Sequence, residues 1–222
     1  MDAFVHRLSE IAKITLLAIT IPGSSASHAG GWATAVLSEI PEFAVRNEPV
    51  TVTFAIKQHG IRPLKALSIR IWANNITTGE NRTFGVRELR DGLYTSELNF
   101  PSRGTWDWEI KTGWPGPSAM PRIEVIEPSE VWAQEITSYQ KGASVFVAKG
   151  CITCHNNTRI QLDNAISLQI DVDLTHYSAS PEFLRRWLKN PRSVRPTSTM
   201  PDQNLNQDDI DSLVAFFGGD NS

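Results

Sequence analysis

Between Gly31 and about Ile126 the chain alternates apolar and polar positions. Val50, Val52, Phe54 and Ile56 interleave with Thr51, Thr53, Ala55 and Lys57, and Leu67, Ile69 and Ile71 with Ser68 and Arg70. Tyr94, Ser96 and Leu98 share one side. Trp106, Trp108 and Ile110 do the same opposite Asp107, Glu109 and Lys111, and Ile123 and Val125 close the series. Successive side chains of a strand point to opposite faces, so a two-residue period predicts half-buried strands. Turn signals at Asn74-Asn75, Asp91-Gly92 and Arg103-Gly104 separate them. About seven short strands with regular turns predict an all-β sandwich over residues 30–127.

Pro115, Pro117, Pro121 and Pro128 punctuate the end of this region, and after Trp132 the period becomes helical. Ile136, Tyr139, Gly142, Ala143 and Phe146 recur at steps of three and four residues. Gly142 weakens a helix, which points to a second helix crossing closely there. Ser180-Pro181-Glu182 opens a short helix through Leu184, Trp187 and Leu188 that stops before Pro191. Asn206 caps a last helix. Asp208 and Asp209 complement its positive end, Ile210, Leu213, Val214 and Phe217 form its apolar stripe, and Gly218-Gly219 ends it. An all-α domain over residues 128–222 follows.

The sandwich region has an immunoglobulin-like rhythm, but packing alone must hold it. The 222 residues hold two cysteines, three positions apart, which excludes a disulfide framework. A net charge of −3 leaves no basic footprint for nucleic acid. Residues 1–29 read as an export signal: Arg7 and Lys13 precede a short apolar run, Ile14 to Ile21, and Ser27-His28-Ala29 offers small residues for cleavage after Ala29. That run falls short of the roughly 18 residues a membrane span needs, and no other segment is a candidate, so the mature chain is expected to carry no transmembrane segment.

The chemistry is concentrated in Cys151-Ile152-Thr153-Cys154-His155, a C-x-x-C-H pattern. Two thiols spaced by two residues can add to the two vinyl groups of one porphyrin, and the next histidine is carried under the iron. One covalently bound haem c is therefore expected, with His155 as proximal ligand. A zinc half-site lacks further cysteines, since zinc takes four ligands. A redox dithiol leaves the histidine unexplained. For the sixth ligand, Met1 leaves with the signal and Met120 lies in the tail of the β-region. Met200, in the proline-bounded loop Pro196-Thr197-Ser198-Thr199-Met200-Pro201, remains the candidate, with His176 as its rival. Methionine with histidine favours ferrous iron over two nitrogens.

On these features, residues ~131–218 resemble a class I cytochrome c domain. The stretch from Asp173-Leu174-Thr175-His176 through Trp187, Pro191 and Met200-Pro201 is similar to cytochrome c domains fused to subunit II of haem–copper oxidases. The Lys-Pro-Gly usual before the Met-Pro is here Arg195-Pro196-Thr197-Ser198. The resemblance implies a nearly enclosed haem with one edge near solvent. Arg185, Arg186, Lys189, Arg192 and Arg195 would form a basic rim that steers an acidic redox partner, a soluble protein or a membrane-bound electron-transfer complex.

Gly30-Gly31-Trp32-Ala33, Gln58-His59-Gly60, Gly92-Leu93-Tyr94 and Gly104-Thr105-Trp106 resemble YtkA-like domains, immunoglobulin-like domains of exported bacterial proteins, some linked to copper or oxidase assembly. His59 with His28 would be the candidate copper ligands, provided cleavage fell just before His28. No extra cysteine exists for the binuclear centre of an oxidase subunit II. The leading expectation is an exported electron carrier, not an enzyme, in the bacterial periplasm or on the outer face of the cytoplasmic membrane, serving a membrane respiratory or photosynthetic complex or forming a subunit of a larger oxidoreductase complex. The alternative is a copper-handling or oxidase-assembly factor with a haem domain.

Overall fold

The computed structural model describes residues 31–116, 119–160, 162 and 172–219. The signal segment, His28 and Asp171 lie outside the described residues. Strands β1 (Ala33–Leu37), β2 (Ala44–Val45), β3 (Pro49–Gln58), β4 (Arg62–Pro63), β5 (Arg70–Asn75), β6 (Asn81–Gly85), β7 (Arg87–Arg90), β8 (Leu93–Asn99), β9 (Gly104–Lys111) and β10 (Ile123–Ile126) come first. They form two sheets, ordered β1-β3-β8-β7 with β4 on β3, and β2-β10-β9-β5-β6. All pairs are antiparallel except β2 with β10. The N-terminal region is thus an all-β sandwich.

The alternation places the core. Phe54, Ile56, Tyr94, Leu98, Trp106 and Ile110 are all buried in one cluster between the sheets. Trp72, on the other face of β5, is half open to solvent, with Lys111 above its ring. Asn75 is fully buried and ties a turn. Its Oδ1 accepts from the Thr77 and Thr78 amides at 2.9 and 3.0 Å, and its Nδ2 donates to the Arg103 carbonyl at 3.0 Å.

Two groups of strands escaped the periodic reading. β6 and β7 are exposed edge strands without an apolar face. β1 is buried at all five positions. A strand buried on both faces does not alternate, and the second face of β1 is covered by the helical region.

That region begins with a 3-10 turn, Pro128–Ala133, followed by α1 (Ser138–Ala148), α2 (Pro181–Lys189), α3 (Pro191–Val194) and α4 (Gln207–Gly218). The predicted caps form. Ser180 Oγ accepts from the Phe183 amide at 3.2 Å, and Asn206 and Asp209 make a reciprocal capping box. α1 crosses α4 at Gly142, where an added Cβ would overlap the Ser212 carbonyl oxygen and stand 2.6 Å from Phe216 Cβ. Phe146, Leu213, Phe216 and Phe217 pack around that crossing. No helix among the described residues is long and apolar enough to cross a membrane.

Candidate functional site

α1 ends at Ala148; Gly150, two residues on, takes a left-handed conformation (φ 79°), and the chain turns into a short 3-10 segment, Cys151–Thr153. In this turn the Cys154 amide donates to the Cys151 carbonyl at 3.1 Å. His155 then enters a two-residue strand, β11 (His155–Asn156), which pairs in parallel with β12 (Val172–Asp173). Its neighbour Asn157 is buried and caps the next turn through the Arg159 amide.

Met200 arrives from the opposite side of the domain. It sits in the irregular segment between α3 and α4, and Trp187 Nε1 of α2 donates to its sulfur at 3.1 Å. The two segments meet at a cavity of about 800 Å³ lined by Cys151, His155 and Met200, with Trp187, Leu188 and Phe217 among its apolar walls. Its size and apolar lining with a few polar groups match a cofactor pocket.

The electrostatics separate the readings of the C-x-x-C-H segment. Burial, with the neighbouring Cys154 second, pushes the Cys151 thiol up to about 12, and burial also raises Cys154. Redox-active dithiols need the opposite, a depressed thiol. The cysteines are not joined in a disulfide. Burial lowers the His155 pKa, opposed by the Val172 backbone, so the imidazole is neutral near pH 7 and keeps a free lone pair. Its Nδ1 is buried without a hydrogen-bond partner. The Cys151 thiol, a neutral buried imidazole and a thioether around one apolar cavity fit a haem, with histidine and methionine as the iron donors, while Cys154, three residues from Cys151, is not among the residues that line it.

The other candidates fall elsewhere. Met120 is buried in the sandwich core. His176 is exposed beside Asp173 and is absent from the cavity lining. His59 adopts φ 53° and packs edge-on against Trp32 at 5.5 Å. Among the described residues no three His, Cys, Asp or Glu side chains are grouped to hold a metal ion. Of the basic rim, Arg185 is paired with Asp211 at 2.8 Å and Arg192 reaches the Ser198 carbonyl at 3.4 Å. Arg186 and Lys189 are exposed at the end of α2, and Arg195 lines the cavity mouth.

Sequence reasoning missed two features. Trp187 was legible as an apolar helix position and as part of the resemblance, but not as a donor to the Met200 sulfur. Lys149 carried no signal at all. Its ammonium is buried, donating to the Leu37 and Ser38 carbonyls at 3.1 and 3.0 Å and facing Asp209 at 3.2 Å.

Comparison with known proteins agrees with this geometry. Residues 139–218 match the Cytochrome c family. The C-terminal region is a cytochrome c domain, which supports a haem-binding, electron-transfer role. No curated protein matches the chain. Similar solved structures include the Lin-41 filamin domain (8% identity, 42% of this chain and 91% of that chain, TM-score 0.34). The Escherichia coli adhesin FdeC gives 20% identity over 48% and 32%, also at 0.34, and the ZirS C-terminal domain 16% over 57% and 84%, at 0.33. At these scores the likenesses are weak, and the sandwich assignment rests on the strand pairing itself.

Proposed function

We propose that the protein is an exported electron carrier with a single haem c, bound covalently through Cys151 and Cys154 and ligated by His155 and Met200. The observation that supports this most is the one cavity lined by Cys151, His155 and Met200. When bound, the haem supplies a reversible one-electron couple. The chain holds it, keeps water out with Phe217, Leu188 and Trp187, and presents a neutral imidazole. Trp187 orients the Met200 sulfur by donating to it. Met200 would hold the iron together with His155, which would favour electron transfer over substrate binding. Export follows from the leader-like N-terminus and from covalent attachment, which keeps a haem from being lost outside the cell.

Arg186 and Lys189 are the exposed cations of the rim, and they steer an acidic partner or an anionic oxidant toward the cavity mouth at Arg195. The test is oxidation of the reduced protein by ferricyanide. One electron per chain is expected, at a rate that falls with salt. R186Q/K189Q should slow the reaction several-fold at low ionic strength and hardly at all at high salt. No reversible electron uptake would remove the carrier reading. A rate in the variant equal to wild type at low salt would remove the steering.

A further inference from the structure

We infer that the β-sandwich is part of the haem site: its β1–β3 ribbon is a common support that holds the cysteine turn and the Met200 segment in register and keeps Met200 in its donor position. This rests on the His155/Met200 reading above.

The juxtaposition is carried by one cross-strand pair. Thr34 of β1 is registered opposite Lys57 of β3, so the two side chains leave the same face of the sheet. Thr34 supports the cysteine turn. Its hydroxyl lies 3.0 Å from that of Thr153, between the two cysteines, and its side chain fills the space where Gly150 would carry a Cβ. Both hydroxyls are buried. Three residues along, the Leu37 and Ser38 carbonyls take the Lys149 ammonium, whose third partner is Asp209 of α4. Ala148, at the end of α1, is fully buried in the sandwich's own hydrophobic cluster.

Burial lowers the Lys57 pKa, and the Asp202 carboxylate of the Met200 segment opposes it, in keeping with an ammonium near that segment. Just beyond the end of β3, Gly60 lies against Pro201 and Gln203. A Cβ there would come 3.6 Å from Pro201 Cγ and 3.8 Å from Gln203 Nε2. Met200 precedes Pro201 directly. The β1–β3 ribbon and the turn that follows it therefore lie against both the turn that carries Cys151 and Cys154 and the residues next to Met200.

The Met200 segment needs such a support. From Thr199 to Asn206 it has no regular structure. Its own hydrogen bonds, Met200 N to Ser198 Oγ at 3.2 Å and Asn204 N to Asp202 Oδ1 at 2.8 Å, shape turns without fixing where the segment lies. Position comes from the distant contacts: the helical core that Met200 and Leu205 pack against, Trp187 on the sulfur side, and the end of the β1–β3 ribbon on the Pro201 side. Contacts made only when Met200 is in place shift the balance toward that state by their full free energy.

The experiment measures binding of imidazole to the oxidised full-length holoprotein, together with hydrogen exchange of amides 197–206. Wild type should take up imidazole weakly. T34V and K57M should each raise the apparent affinity by about tenfold, the factor set by 1.4 kcal/mol, and speed exchange across 197–206. K149M should do the same, with K149R recovering part of the effect. K65M, an exposed lysine on the same sandwich, should behave as wild type. Interface variants with wild-type imidazole affinity and exchange would overturn the support role. A wild type that binds imidazole as readily as M200A would instead overturn the Met200 ligation beneath it.

Discussion

Met200→Ala should convert the protein from a closed, low-spin carrier into one with an accessible iron position. In the oxidised state the weak far-red band of an iron–thioether bond disappears, and in the reduced state carbon monoxide binds. The midpoint potential should fall by on the order of 0.1 V, a modest part of the ~0.8 V over which axial ligands set haem potentials. The direction follows from the thioether's preference for ferrous iron. Trp187→Phe removes the 3.1 Å donor to the sulfur without removing the sulfur. It should keep the far-red band and lower the potential by less, because the hydrogen bond draws electron density from the ligand. If Met200→Ala leaves the spectrum and potential unchanged, the sixth donor is another group, and His176 is the first to test.

Gly142→Ala has the second large effect, and its sign decides between two contributions. Helix propensity alone favours alanine by about 1 kcal/mol. Against it, the new methyl overlaps the Ser212 carbonyl oxygen, a backbone atom that moves only if α4 moves. α1 and α4 carry the centre of the helical core, with Phe146, Leu213 and Phe216 in the crossing. Separating them opens the packing behind Cys151. We expect a net loss of roughly 3 kcal/mol or more, in the range of core overpacking with backbone displacement. Denaturant unfolding followed at the haem absorption measures it. Gly218→Ala, where nothing lies within 4 Å of the added methyl, is the control and should be neutral or slightly stabilising. A stabilised G142A would mean the crossing is looser than its geometry implies.

The parts of this molecule that were legible in sequence are those written in local chemistry. Val50 to Ile56 and Trp106 to Ile110 announce their strands because one face of each is buried and the other is not. Ser180 and Asn206 announce helix starts because a capping side chain acts within three residues. Cys151 to His155 is a contiguous five-residue motif, and Met200 stood out because few methionines compete with it. Edge strands β6 and β7 were not legible, since they are largely exposed and only Phe84 of β6 packs on the core, too little to impose a pattern. β1 was not legible for the opposite reason, as both of its faces are covered. The residues that join the two regions were invisible for a third reason. Thr34 and Thr153 meet across 119 positions, and Lys149 meets Leu37 across 112. Neither a threonine in a strand nor a lysine at a helix end signals such a partner.

Lys149 also shows where stability is concentrated. A buried ammonium is tolerable only when its hydrogen bonds and a counter-charge are all supplied. Here two carbonyls come from the sandwich and a carboxylate from α4. The lysine lies two residues before Cys151, so the same group joins strand, helix and the cysteine turn.

The most direct measurement is the intact mass of the purified protein under denaturing conditions, set beside that of the Cys151→Ser/Cys154→Ser variant. The account predicts the mature chain plus one haem for the wild type, with no haem retained by the variant. A wild-type mass equal to the polypeptide alone, or haem that separates on denaturation, would contradict it.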